Sequence, residues 1–180
     1  FLEPLYTQHE VDQVMKHFVC YDYDRRFRIF DDVLLTFTNS GHMLGSAICS
    51  LEVYEEEDGQ KRWKRVTYTG DIGRKQSHIL PAPMLFPQCD YLICESTYGD
   101  RLHEEQEVTE HELLGIVKDT CEYRGGKLLI PSFSVGRTQE IVYVLNQLYN
   151  EGYLPKIPVY VDSPLSTNAT HIFRMYPQYL

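Results

Sequence analysis

Thr69-Gly70-Asp71-Ile72-Gly73-Arg74 follows a run, Arg65-Val66-Thr67-Tyr68-Thr69, that reads as a β-strand. Upstream, Asn39-Ser40-Gly41-His42-Met43-Leu44-Gly45-Ser46-Ala47 follows Leu34-Leu35-Thr36-Phe37-Thr38, which reads the same way. Each stretch sets one metal-capable side chain, Asp71 or His42, among glycines just past a strand. Glycine permits the tight turn and leaves room for an ion beside the backbone. A neutral imidazole and a carboxylate are donors that Zn²⁺ accepts, but zinc takes four ligands, and two loop residues alone do not make a site. The residues leave two readings open for Asp71: a ligand, or an Asx residue that forms the turn.

Working outward, Tyr91-Leu92-Ile93-Cys94 is a short apolar strand that runs into Glu95-Ser96-Thr97-Tyr98-Gly99. By itself, Glu95 is either a site carboxylate or a strand-end acid capping its loop. Taken in order, Gly41–Ala47, Thr69–Arg74 and Glu95–Gly99 resemble the metallo-β-lactamase superfamily. More narrowly they resemble the β-CASP nucleases, which include the endonuclease subunit of the pre-mRNA cleavage and polyadenylation factor and bacterial ribonuclease J. The resemblance covers essentially the whole chain. The family's main metal motif, His-x-His-x-Asp-His, is absent from these residues and in that family lies upstream of where this chain begins.

The resemblance implies an α/β fold. Residues 1–103 would be the later half of a metallo-β-lactamase αββα domain, and residues 104–180 the start of an inserted β-CASP domain with a parallel sheet. It implies a zinc-dependent hydrolase that cleaves phosphodiester bonds of single-stranded RNA, with two Zn²⁺ in the full-length parent. His42 and Asp71 would be metal ligands, Asp71 shared between both ions, and Asp71 and Glu95 the catalytic residues. In the family the acid matching Glu95 orients a later histidine; His103 and His111 come too early to be that residue. Glutamate at 95 points to the RNA-processing branch, since the DNA-repair branch tends to carry aspartate. Without the upstream motif the isolated piece would be inactive. Two other readings stay open: a non-catalytic RNA-binding or scaffold relative, and a metallo-β-lactamase hydrolase of small esters.

Composition bounds these expectations. The 180 residues begin at Phe1 and stop in what reads as a helix, so the chain reads as a piece of a longer protein. Apolar content of 43% with 24% charged residues is ordinary for a globular protein. No apolar run approaches a membrane span, so no membrane partner is expected. The five cysteines show no Cys-x-x-Cys pair, which suits reduced thiols in a cytoplasmic setting. The net charge of −9 counts mildly against a surface that coats nucleic acid generically, though a metal pair and a few arginines can supply local positive potential. A homodimer or a multi-subunit RNA-processing complex is compatible with all of this.

Along the chain, Thr7-Gln8-His9-Glu10 is a capping box, and Val11, Val14, Met15 and Phe18 form the stripe of a core-packed helix. Phe27–Ile29 and Val33–Thr38 read as strands. Ala47–Tyr54 and Arg62–Thr69 pair through a turn at Asp58-Gly59. The acidic run Glu55–Asp58 then meets the basic run Lys61–Arg65. Cross-strand charge pairing is preferred there over a grip on RNA around Trp63. His78, before a proline-broken loop, reads as a surface residue, with a place on the rim of the site as the alternative. A helix starts near Glu104 and Glu105, buries Leu113, Ile116, Val117, Thr120 and Cys121, and ends at Gly125-Gly126. Leu128-Leu129-Ile130 and Pro158–Val161 read as strands alternating with helices from about Gly136 and Ser166, the pattern of a parallel sheet. Pro131–Thr138 joins strand to helix and brings hydroxyls, backbone N–H groups and Arg137 to a helix N-terminus. From the residues alone helix capping is the preferred reading there, and it is the resemblance that makes Ser134, Gly136 and Arg137 a candidate seat for a substrate phosphate. At Asp162–Ser166 capping is the preferred reading.

Overall fold

A computed structural model describes residues 4–57, 59–102 and 106–180. The 103/104 boundary therefore lies outside the described residues, as do Asp58, His103, Glu104 and Glu105.

Helix α1 (Gln8–Met15) starts at the expected capping box, where the Thr7 N–H donates to Glu10 Oε2 at 2.7 Å. Its apolar stripe does not pack on a core: Val14, Met15 and Phe18 are 56%, 59% and 65% exposed. The capping residues suffice to start the helix, and nothing among the described residues covers its apolar side.

Five strands follow: β1 (Arg26–Phe30), β2 (Val33–Asn39), β3 (Ala47–Glu57), β4 (Gln60–Tyr68) and β5 (Tyr91–Ile93). They lie side by side in chain order, antiparallel except for the parallel β4–β5 pair. The β3–β4 hairpin turns through Gly59 at φ +73°, and its register sets Glu55 opposite Arg62 and Glu56 opposite Lys61. That pairing is the arrangement expected of a charged hairpin. One sheet face carries Thr38, Ile48, Ser50 and Thr67, all buried, with Ser50 and Thr67 hydroxyls 3.0 Å apart across the ladder. On the same face Glu52 receives Arg26 Nη2 at 2.5 Å and Arg65 Nη2 at 3.2 Å.

The second half is helical. α2 (Gln106–Val117) runs on through a π-helical turn, Lys118–Tyr123, and stops where Gly125 takes φ +60° and the Gly126 N–H bonds to Thr120 O at 2.8 Å. α3 (Arg137–Asn150) and α4 (Pro164–Met175) complete the helices, with a 3₁₀ turn at Pro177–Tyr179. Val117, Val144, Leu148 and Leu154 form the core here, with Leu113, Leu114, Leu128, Leu145 and Ile157 packed against it. Of the expected α2 stripe, Ile116 instead points outward at 52% exposure.

The segments Leu128–Ile130 and Pro158–Val161 make no ladder among the described residues, so the parallel pairing in this structure is β4 with β5. A parallel strand needs neighbours and cover on both faces. Leu129 and Tyr160 are 88% and 85% exposed, and only Leu128 and Ile157 reach the helical core.

Candidate functional site

The His42 loop is built by its own polar side chains. Asn39 Oδ1 accepts the Gly41 N–H at 2.8 Å, an Asx turn made where β2 ends. The buried Ser40 hydroxyl lies 2.9 Å from Ser46 Oγ, and Ser46 in turn binds Met43 N–H and C=O at 3.0 and 2.8 Å. Gly41 takes φ +66°, a conformation that other residues adopt only at a cost.

The Asp71 loop is fastened from two sides. Thr69 N–H bonds to Ile93 O at 3.0 Å, carrying the β4–β5 pairing one residue further, and the Glu95 N–H reaches Thr69 Oγ1 at 3.3 Å. Gly73 N–H bonds to Ser40 O at 2.8 Å, and a Cβ on Gly73 would overlap the backbone of Gly41 and His42. Glycine at 73 is therefore what lets the two loops touch.

The consequence is that His42 Nε2 and Asp71 Oδ2 lie 3.7 Å apart, with the two side chains 40% and 70% exposed. Glu95 stands beside them and accepts the Ile72 N–H at 2.7 Å through Oε1. That bond first, then the Thr97 side chain, and least of all the nearby His42, hold the Glu95 carboxyl below the usual carboxylate range. The structure thus brings His42, Asp71 and Glu95 to one corner, at the ends of β2, β4 and β5.

Zinc bonds of about 2.0–2.2 Å at a tetrahedral angle put two donors about 3.4 Å apart. The separation of 3.7 Å between His42 and Asp71 fits two ligands of one ion. Among the described residues no group of three His, Cys, Asp or Glu side chains could hold a metal, so this pair offers two donors and no more.

The 132–138 turn is some way along the chain and internally satisfied. Gly136, at φ +85°, donates its N–H to Gln139 Oε1 at 2.7 Å. Ser134 Oγ faces Ser163 Oγ at 3.4 Å. The Arg137 guanidinium, 53% exposed, pairs with Glu140 at 2.8 Å. Gln139 is the residue that sequence reasoning missed. It is 6% exposed, and its Nε2 reaches Ser134 O, Ser166 O and Thr170 Oγ1 at 3.1, 3.2 and 3.0 Å. Its signal was its place three residues past a helix-capping glycine, where a glutamine reaches back to the cap N–H. At α4 the expected capping holds, with Ser163 Oγ accepting the Ser166 N–H at 3.1 Å.

His78 is not a surface residue. Its side chain is 13% exposed, its Nε2 lies 3.1 Å from Glu110 of α2, and its ring is 6.2 Å from Tyr143 of α3. No residue near it carried that information, because both partners come from helices distant in sequence.

These loops gather past the strand ends of the mixed sheet and set His42 and Asp71 together as a metal-capable pair. Residues 138–180 match the Beta-Casp domain. The chain is 42% identical over 178 residues to transcription termination factor FttA of Methanocaldococcus jannaschii, covering 97% of this chain and 27% of that protein. It is 36% identical over 177 residues to ribonuclease TTHA0252 of Thermus thermophilus, covering 98% and 37%. It is 35% identical over 182 residues to an RNase J-like protein of M. jannaschii, covering 99% and 41%. The Beta-Casp match is confined to residues 138–180, and over nearly its whole length the chain is similar to these termination-factor, ribonuclease and RNase J-like relatives. It spans about a quarter to two-fifths of the length of these relatives. No helix among the described residues is long and apolar enough to cross a membrane.

Proposed function

We propose that the full-length protein is a zinc-dependent ribonuclease that cleaves single-stranded RNA, and that this chain supplies one wall of its active site. The observation that carries the reading is the 3.7 Å approach of His42 to Asp71 at strand ends, with Glu95 beside them. The ribonuclease and RNase J-like names among the relatives support RNA as the substrate. The termination factors among them support a second reading, a role in ending transcription.

In this reading His42 and Asp71 would hold zinc, and the remaining ligands would come from outside these residues. When bound, zinc supplies the Lewis acidity that makes water a nucleophile at neutral pH and neutralises charge on the phosphate. Glu95, held ionised by the Ile72 N–H, fixes the Asp71 loop and offers its second oxygen as an acceptor that orients a proton-carrying group. Arg137 makes the phosphate contact, its guanidinium turning from Glu140 to substrate, while Ser134 and Gly136 shape the turn that presents it. The isolated piece is inactive and holds zinc weakly, because two donors are too few. We place the protein in the cytoplasm, as a homodimer or in a multi-subunit complex that covers exposed apolar side chains such as Leu129 and Phe133.

A scaffold relative or a small-ester hydrolase would differ in a direct assay. Full-length protein stripped with a chelator should lose cleavage of a single-stranded RNA and regain it with added zinc. Cleavage that survives complete metal removal would overturn the reading, as would hydrolysis of small esters with none of RNA.

A further inference from the structure

Beside the His42 loop lies a cavity of about 470 Å³ that the proposed chemistry does not use. Tyr21, Tyr23 and Phe37 line it from the sheet side, Leu44 and Gly45 from the His42 loop, and Tyr176 and Tyr179 from the end of α4. Its size lies within the roughly 300–1,000 Å³ of small-molecule sites. We propose that this cleft holds one base of a single-stranded RNA, stacked between Tyr21 and Tyr176.

The rings differ in what they are free to do. Tyr23 is fixed, donating its hydroxyl to Ser46 O at 2.9 Å and meeting Tyr179 edge-on at 5.8 Å. Burial also raises its pKa, so the phenol stays a donor at any working pH. It forms a rigid floor. Tyr21 stacks on Phe27 with ring centroids 3.7 Å apart, which holds it flat. Tyr21 and Tyr176 are the open pair, 48% and 43% exposed on the same cavity.

Planar rings on two sides suit a planar ligand with a polar edge, and every base has a face that stacks. Asp22 lines the cavity and can accept from a base's exocyclic amino group. Its charge is countered by Arg25, 3.4 Å away, so the mouth does not simply repel a phosphate. The cleft adjoins the loop that presents His42, since Leu44 and Gly45 of that loop line it. A strand bound here by one base would run its backbone past that loop.

The inference rests on the RNA reading above, and its test separates the two. In the full-length protein, binding of a fluorescent oligouridine is compared with that of the same strand made abasic. The wild type should prefer the strand with bases. Tyr176→Leu, which keeps apolar bulk without the ring, should weaken that binding about 5- to 150-fold and leave the abasic strand unaffected, with Tyr176→Phe close to wild type. A leucine variant that binds both strands as the wild type does, or loses both equally, would overturn the base pocket. If the wild type binds neither strand, the RNA reading fails, and the riboside of 2-aminopurine then probes the cleft alone. Quenching by the wild type and not by Tyr176→Leu would keep a base-binding cleft; no quenching by the wild type would remove it.

Discussion

Gly73 carries more of the site than its size suggests. Its N–H fastens the Asp71 loop to Ser40, and its missing side chain lets that loop lie on the backbone of Gly41 and His42. Gly73→Ala forces two backbones apart, so it should cost about 1–3 kcal/mol and lower zinc occupancy in the full-length protein. A thermal melt with metal analysis checks this, and an alanine variant unchanged in both would disprove the crowding. Glu52 poses the same kind of question away from the site. Nearly buried between Arg26 and Arg65, it should cost about 1–3 kcal/mol as Glu52→Ala, read from urea unfolding, because two guanidinium groups lose their shared acceptor. That His42 and Asp71 stand in glycine-flanked loops just past strands was legible in the sequence, whereas their pairing as metal ligands was suggested by the family resemblance and not by the spacing. The crowding at Gly73 was not legible, because it exists only once two loops distant in sequence meet.

Elements were legible where local chemistry decides them. The capping box at Thr7, the Gly59 turn, the Gly125-Gly126 stop and the Ser163 cap all act within a few residues, and each forms as expected. The apolar segments 128–130 and 158–161 fared differently, since whether such a run becomes a strand depends on a neighbour that sequence does not name. The turn before α3 also depends on a distant partner. Gln139→Ala would strand the Gly136 N–H and the Ser134 carbonyl, while Ser166 O keeps the Thr170 hydroxyl, so it should cost about 1–3 kcal/mol in denaturant unfolding. Arg137→Ala separates the two readings of this turn. As a phosphate contact worth about 1.5–3 kcal/mol, Arg137 gives RNA binding weakened about 10- to 100-fold and a salt slope shallower by about 0.7. As a helix-end residue paired with Glu140, it gives a lower melting temperature with affinity and slope unchanged.

For the whole molecule, the sheet half and the helical half meet at His78, whose imidazole bonds to Glu110 and lies near Tyr143. His78→Ala should loosen that junction, and calorimetry should then resolve two transitions where the wild type melts more cooperatively; an unchanged profile would show the pair to be incidental. The central claim is that the His42 and Asp71 loops are one wall of a zinc centre that cuts RNA. Zinc content and single-stranded RNA cleavage, measured on the same full-length samples of wild type and Asp71→Asn, test it most directly. The account predicts two zinc ions and cleavage in the wild type. The variant, folded by its melt, should lose zinc and drop more than about 100-fold in rate, since even residues behind the ligands cost 10- to 100-fold. An Asp71→Asn protein that keeps its zinc and cleaves RNA at the wild-type rate would contradict it.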